Sequence, residues 1–597
     1  MPRWSCSRRA AGTAILAAAS VLACLPWLAA RALASADDDS SIELTWGVKI
    51  PMRDGIRLNA TLYRPRRSAQ KVPALFRLNP YTPDSFHREA KDLARHGYAF
   101  AAVDVRGRGN SEGSFEPAAH DGRDGADVVE WLASQTWSNG KVGMFGESYL
   151  GRAVWSTLKE HPAHLAAAAP LTPGYPLLFW KNILTPDMMP FLLQTAGATI
   201  NNNIALDDAF WIARYRELYL GHLPLRQFDR LAGLPSAIFQ RYLDHPAHDD
   251  FWSAIPPRPD DYRRLDLPLL TITGLYDTHT SASLFYFRQH RRYAPPAGRD
   301  RHYLVIGPWD HGGITHPRRE VGGLSFGPAS MVDTQALLRE WFDFALAGAP
   351  RPAFLRKQVA YYVAGAEEWR YADRLDEVTG VTRKLYLASD GSAADVFHSG
   401  RLGPEPPRAG APRADRWTYD PLDTRPEELD REPVDAWATT QRYALNLYGE
   451  GAVYHGEPFA APAEIAGEPR LSVWIAMDVP DADFVATLYL MTQEGGSILL
   501  GEDSLRARYR RSAEGEELVR PGAVERYDFA FPFHARVVPR GSRLRLVVRS
   551  PNNIYWEKNY GSGGAVADES GKDARTAHLT LYHDAAHPSA LDLPLAR

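Results

Sequence analysis

The sequence predicts an α/β domain interrupted by a helical insertion and followed by an all-β domain. Three observations carry that expectation. Apolar strand runs alternate with helix-period segments from about residue 42 to 170. Residues 172–260 are rich in Trp, Phe, Leu and Arg at helical spacing, with no strand runs. From about residue 441, short alternating strands recur between turn signals. A chain of 597 residues is also too long for one ordinary core.

Taken in order, Ile42 to Ile50 and Leu58 to Tyr63 read as an antiparallel opening, with Arg53-Asp54-Gly55 as its turn. Val72 to Leu78 is a short apolar strand. Phe86 to His96 has helical period, and Gly97 ends it. Tyr98 to Val105 reads as a buried strand. Asp121 to Ser134 places Val128, Val129 and Leu132 on one helical face. Val142 to Phe145 is a strand that passes at once into a helix reaching Lys159, and Leu165 to Pro170 is a further strand. This rhythm predicts a mainly parallel sheet covered on both faces. After the insertion the sheet resumes at Leu267 to Thr273 and His302 to Ile306, and a closing helix runs from Met331 to Ala347 with Gly348 as its stop. Val359 to Val363 and Thr382 to Ala388 look like strands, and 389–440 reads as an extended, Pro-rich connection. Arg470 to Ala476, Asp483 to Leu490, Arg543 to Arg549 and Ala577 to Tyr582 predict a sandwich or jelly roll.

The composition, 45% hydrophobic and 23% charged, is that of a globular protein. The net charge of −4 leaves no broad basic field, which argues against nucleic acid as a partner. Residues 1–36 read as a signal peptide: Arg3, Arg8 and Arg9 precede an apolar stretch from Ala10 to Ala30. Small-x-small cleavage candidates follow at Ala32–Ala34 and Ala34–Ala36. A retained membrane anchor is the alternative; Pro26 and the many alanines favour cleavage. Ser7-Arg8-Arg9 resembles part of a twin-arginine signal, and Val21 to Cys24 is a loose lipobox. Cleavage removes four arginines and no acids, taking the charge from −4 to −8. It also removes both cysteines, Cys6 and Cys24, which excludes thiol catalysis and Cys-zinc sites. The expected location is a bacterial periplasm or the medium, with no stable membrane association after cleavage.

The chemistry is carried by Gly146-Glu147-Ser148-Tyr149-Leu150-Gly151, set between a strand and a helix. A serine on such a turn projects its hydroxyl above the sheet edge, and the helix start leaves amides to face an oxyanion. The second glycine stands one place later than in the usual lipase pattern. A structural N-cap serine is the bland alternative. Serine needs a base and the base an orienting acid. The loops after the strands at 267–273 and 302–306 offer Asp277 and His311, in the chain order Ser, Asp, His. Asp310 adjoins His311 and reads as structural; His279, two residues after Asp277, reads as a pocket residue.

Five motifs then converge: Asn79-Pro80-Tyr81, Asp104 to Gly113, Gly146 to Gly151, Tyr276-Asp277, and Gly307-Pro308-Trp309-Asp310-His311. On these the chain resembles the cocaine-esterase and Xaa-Pro dipeptidyl-peptidase-like family of serine hydrolases, which includes α-amino acid ester hydrolases and glutaryl acylases. The resemblance spans about residues 42–590. It implies an α/β-hydrolase fold with an inserted helical cap and a C-terminal jelly roll. The boundaries are then 37–171 and 261–352 for the hydrolase domain, 172–260 for the cap, and 353–597 for the connection and jelly roll. It implies two oxyanion donors, the backbone amide of Tyr149 and the hydroxyl of Tyr81. Tyr81 follows the strand at 72–78, so it falls on the same sheet edge as Ser148. Asp104 and Arg106 are expected to brace their loop.

The α-amino acid ester hydrolases hold a substrate ammonium with acids just after the triad aspartate, where this chain has His279 and Thr280. An apolar acyl pocket lined by Phe179, Trp180, Phe191, Phe210 and Trp211 is the simpler expectation. The expected partner is a small ester, amide or short peptide, with no cofactor and no metal. An exported serine hydrolase acting through an acyl-enzyme is the main reading. An Xaa-Pro dipeptidyl peptidase, an acylase, and a carbohydrate-binding protein with an inert hydrolase domain are its alternatives. Oligomeric state is unreadable.

Overall fold

The computed structural model describes residues 39–597 apart from 69, 82, 175–178, 181–182, 185–192, 194–206, 409–413 and 432–434. The expected signal segment lies outside the described residues.

Strands β1 (Ile42–Pro51), β2 (Arg57–Pro65), β3 (Val72–Asn79), β4 (Ala99–Asp104), β5 (Ser138–Glu147) and β6 (Leu165–Leu171) open a large sheet. Between them run helices α1 (His87–Arg95), α2 (Asp121–Ser134) and α3 (Tyr149–Lys159). A two-stranded ribbon, β7 (Phe179–Trp180) and β8 (Ile183–Leu184), enters the segment expected to be purely helical. Helices α4 (Asp208–Leu220), α5 (Phe228–Leu231) and α6 (Ala237–Leu243) follow. The sheet resumes with β9 (Leu269–Gly274), helix α7 (Thr280–Tyr293) and β10 (His302–Gly307). A small ribbon, β11 (Glu320–Val321) and β12 (Leu324–Ser325), precedes helix α8 (Thr334–Phe342), which ends in a wider π turn and a left-handed Gly348. The last strands are β13 (Val359–Val363) and β14 (Glu368–Ala372).

The strand order is β1-β2-β4-β3-β5-β6-β9-β10-β13-β14. From β4 through β13 every adjacent pair is parallel; the edges are antiparallel. The continuous apolar runs of β3, β4 and β9 follow from this, since both faces are covered. On one face Val128, Leu132, Val154, Trp155 and Tyr286 of α2, α3 and α7 bury against Phe76, Val103 and Met144. On the other, Ala90, Leu93, Leu338, Trp341 and Phe342 of α1 and α8 bury against Leu75, Phe100, Phe145 and Val305.

The boundary expected at residue 353 falls inside this sheet. Val359–Val363 pairs in parallel with β10, and Glu368–Ala372 turns back on it. The stretch read as a connection is not all loop either. Gly400–Gly403 and Ala414–Tyr419 pair with strands 451–456 and 577–582 of the C-terminal sheet. That sheet has thirteen strands among the described residues and is antiparallel except for the first of these pairs. Its alternating positions close on a core that includes Leu387, Val473, Ile475, Phe484, Leu546, Leu579 and Leu591.

Candidate active site

The parallel strand order decides where the functional loops emerge. β3, β5, β6, β9 and β10 lie side by side and point the same way, so the loops after Asn79, Glu147, Leu171, Gly274 and Gly307 share one edge. Tyr81, Ser148, Thr172, Asp277 and His311 sit on those five loops.

Ser148 has φ 59° and ψ −119°, a conformation outside the regions L residues prefer. Its amide donates to Leu171 O at 3.1 Å, and its carbonyl accepts from Gly174 N at 3.3 Å and Arg152 N at 3.0 Å. The loop after β6 thus grips the turn from one side. Gly146 and Gly151 permit the bend: a Cβ on Gly151 would lie 2.5 Å from Leu171 O and 3.0 Å from Gly146 O. This accounts for the late glycine of the motif, because the third position of α3, not the second, meets the end of β6.

Asp277 is the buried anchor of the site. Its side chain has no exposed surface, whereas that of His311 is 42% exposed. His311 Nδ1 donates to Asp277 Oδ1 at 3.0 Å, and the His279 amide donates to the same oxygen at 2.9 Å. Thr172 Oγ1 donates to Oδ2. Burial by itself raises a carboxylate pKa, but the His311 bond, the nearby imidazoles and the His279 amide outweigh it and hold Asp277 below its ordinary value. Burial likewise lowers His311, yet the bond and charge of Asp277 prevail and hold it above the ordinary histidine value. Because a carboxylate only accepts, His311 carries its proton on Nδ1 and presents Nε2. Ser148 Oγ and His311 are not hydrogen-bonded in this structure; such links commonly close only when substrate is held.

The Tyr149 amide lies in the first turn of α3, where the helix supplies no acceptor. The Tyr149 ring is tied away from it. Its hydroxyl accepts from Ala118 N at 3.3 Å, and the Arg152 guanidinium stacks 4.2 Å from the ring centroid. The Tyr81 ring stands edge-on to Tyr149 with centroids 6.4 Å apart. Burial pushes the Tyr81 phenol up to about 12, so it stays a proton donor at neutral pH.

His279 stands beside His311, ring centroids 4.7 Å apart at 76°. The other expected pocket residues fare differently. Trp211 is buried in the core of the helical segment against Tyr215 and Phe228, and Phe210 stands edge-on to it, 41% exposed. Trp211 packs in the core shared by α4, α5 and the Ile554 loop rather than on a pocket wall. Phe179 and Trp180 are described by backbone only, in the β7–β8 ribbon, and Phe191 lies outside the described residues. Asp310 is structural: its Oδ1 accepts from Gly313 N at 2.9 Å, and Oδ2 pairs with Arg318. Arg106 forks onto Asp124 and also pairs with Asp54, bracing the loop after β4.

Three contributors have no motif in the sequence. Thr172, at φ 36°, is a β-branched residue in a left-handed conformation. Arg77 on β3 is buried and pairs with Glu147 at 2.6 Å and Glu89 at 2.8 Å, locking the residue before the serine. Arg152 packs under Tyr149, 3.9 Å from buried Asp121. Only the positive φ at a strand end could have flagged Thr172, and φ is not written in a sequence.

Residues 54–313 match the X-Pro dipeptidyl-peptidase (S15 family), and residues 354–592 match the X-Pro dipeptidyl-peptidase C-terminal non-catalytic domain. The chain is 27% identical over 604 residues to the cocaine esterase of Rhodococcus sp. (strain MB1 Bresler), covering 94% of this chain and all of that one. An α-amino acid ester hydrolase structure superposes with a TM-score of 0.79 at 22% identity, over 94% of this chain and 98% of the other. An aminopeptidase from a marine sediment Thaumarchaeota archaeon gives 0.76 at 21%, over 93% and 97%. These two likenesses show a shared fold, an α/β-hydrolase domain with a C-terminal β domain. Two matched domains, end-to-end similarity to an esterase and the shared fold lead to one statement: the chain is a serine hydrolase of the cocaine-esterase and Xaa-Pro dipeptidyl-peptidase-like family.

Proposed function

We propose that this protein hydrolyses a carboxylic ester or amide through an acyl-enzyme. Ser148 attacks the carbonyl carbon while His311 Nε2 takes its proton. Asp277 orients His311 and stabilises the imidazolium that forms. The Tyr149 amide and the Tyr81 hydroxyl hold the oxyanion. His311 then protonates the leaving group, and a water activated by the same imidazole releases the acid. The single observation that carries this reading is the hydrogen bond, at 3.0 Å, from His311 to the buried Asp277, on the strand edge that also bears the strained Ser148. Ser148→Ala should abolish turnover of p-nitrophenyl esters and labelling by a fluorophosphonate. A variant that is still labelled would remove the serine from its role.

The helices from Asp208 to Tyr262 serve as a cap, and the C-terminal sheet as a jelly roll that closes the cleft. Residues 1–36 direct export and are removed. A dipeptidyl-peptidase activity is the second reading, favoured by the family match over residues 54–313. His279 and Thr280 after Asp277 count against an ammonium site there. A glycyl-prolyl anilide tested against short acyl esters separates the two.

A further inference from the structure

His279 has no part in the proton relay, yet it faces the residue that does. One ligand atom from each of Asp277, His279 and His311 lies within 4.8 Å of the others. The His279 and His311 ring centroids lie 4.7 Å apart, and a tetrahedral zinc ion with bonds of about 2.05 Å asks for ligand nitrogens about 3.4 Å apart. Both imidazoles are prepared for it. His311 Nδ1 donates to Asp277, and His279 Nδ1 makes a long hydrogen bond, 3.4 Å, to Thr172 O. A carbonyl and a carboxylate only accept, so both rings hold their lone pair on Nε2. Asp277 already accepts from His311, the His279 amide and Thr172. A carboxylate supporting a histidine in this way is the usual outer partner of a zinc ligand.

We propose that a divalent transition metal such as Zn2+ is a reversible inhibitor of this hydrolase, held between His279 and His311 above Asp277. Rooted in the serine-hydrolase reading, the inhibition needs no new chemistry: the metal occupies the Nε2 lone pair that must accept the Ser148 proton. Water completes the coordination. Imidazole ligands select Zn2+ or Cu2+ over Mg2+, so magnesium should leave turnover unchanged.

The test is zinc binding by calorimetry on chelator-treated full chain, together with turnover in zinc-buffered solution. Other histidine–carboxylate pairs occur on the surface, such as His164 with Glu130 and His578 with Asp478, so variants must isolate the site. Ser148→Ala should bind zinc as the parent does. His279→Gln and His311→Gln should each weaken the site-specific binding more than about tenfold. The fractional inhibition of whatever turnover His279→Gln retains should shift by the same factor, and a chelator should restore the parent fully. No binding at micromolar zinc, or binding that neither histidine variant alters, overturns the proposal. Turnover that survives in Ser148→Ala overturns the nucleophile assignment instead and leaves the calorimetric result to stand on its own.

Discussion

At the scale of single residues, the site depends on opposing influences around one carboxylate. Asp277 is fully enclosed, which disfavours its charge, and three donors restore it. The charge it keeps is what lifts the His311 pKa above its ordinary value. Below that ionisation the imidazole is protonated and cannot accept the serine proton; above it the imidazole is neutral and can. The expected kcat/KM profile therefore falls on the acid side through one ionisation above about 6.5. Asp277→Asn should move that limb to lower pH and reduce kcat by up to about ten-thousand-fold. An acid limb below the ordinary value, unmoved by the variant, would show that Asp277 does not govern His311.

At the scale of elements, the joint between β5, α3 and β6 is held by backbone atoms rather than side chains. Leu171 O accepts the Ser148 amide and sits 2.5 Å from where a Cβ of Gly151 would be. Backbone cannot yield as a flexible side chain does. Gly151→Ala should push α3 off β6, cost about 1–3 kcal/mol and slow fluorophosphonate labelling. Thermal unfolding and labelling rates check both, and a variant with parent-like values in each would mean that the joint tolerates the methyl group. Arg77 reinforces the same joint from β3 by fixing Glu147, while Phe86 and Phe145 cover its guanidinium at 4.7 and 4.4 Å.

At the scale of the whole molecule, the C-terminal domain is joined to the hydrolase sheet rather than tethered to it. Ala364 N donates to Ala535 O at 3.0 Å, and Val537 N donates to Ala364 O at 2.8 Å. Arg536 from that domain donates to the Tyr276 hydroxyl at 2.8 Å, one residue before Asp277, and the His534 ring stands edge-on to Tyr276. The helical segment rests on the same domain, with Tyr219 donating to Asn552 at 2.7 Å and Lys558 lying 3.7 Å from the Tyr219 ring centroid. Beneath it, buried Arg506 pairs with Asp483 and Glu557, and Arg508 with Asp481. Tyr276→Phe leaves the buried Arg536 donor unmet. It should cost about 1–3 kcal/mol and lower kcat more than it changes KM, because the acid loop loosens. Unfolding midpoints and steady-state kinetics report these separately; a parent-like kcat would show that the domain contact does not reach the acid.

The alternation of strands and helices, the turn that carries Ser148, and the order Ser148, Asp277, His311 are all legible in the amino-acid order. All three are local: a periodicity, a motif between a strand and a helix, and loops that end recognisable strands. The remainder came from contacts between segments far apart in the chain. Thr172 and Arg77 reach the site through contacts with residues 105 and 70 positions away. The strands at 359–372 joined the first sheet and those at 400–419 the second because partners far along the chain accepted their backbone groups. Trp211 became core because a distant loop covered it. Periodicity reports which face of a segment avoids water; it carries no record of which surface will cover that face.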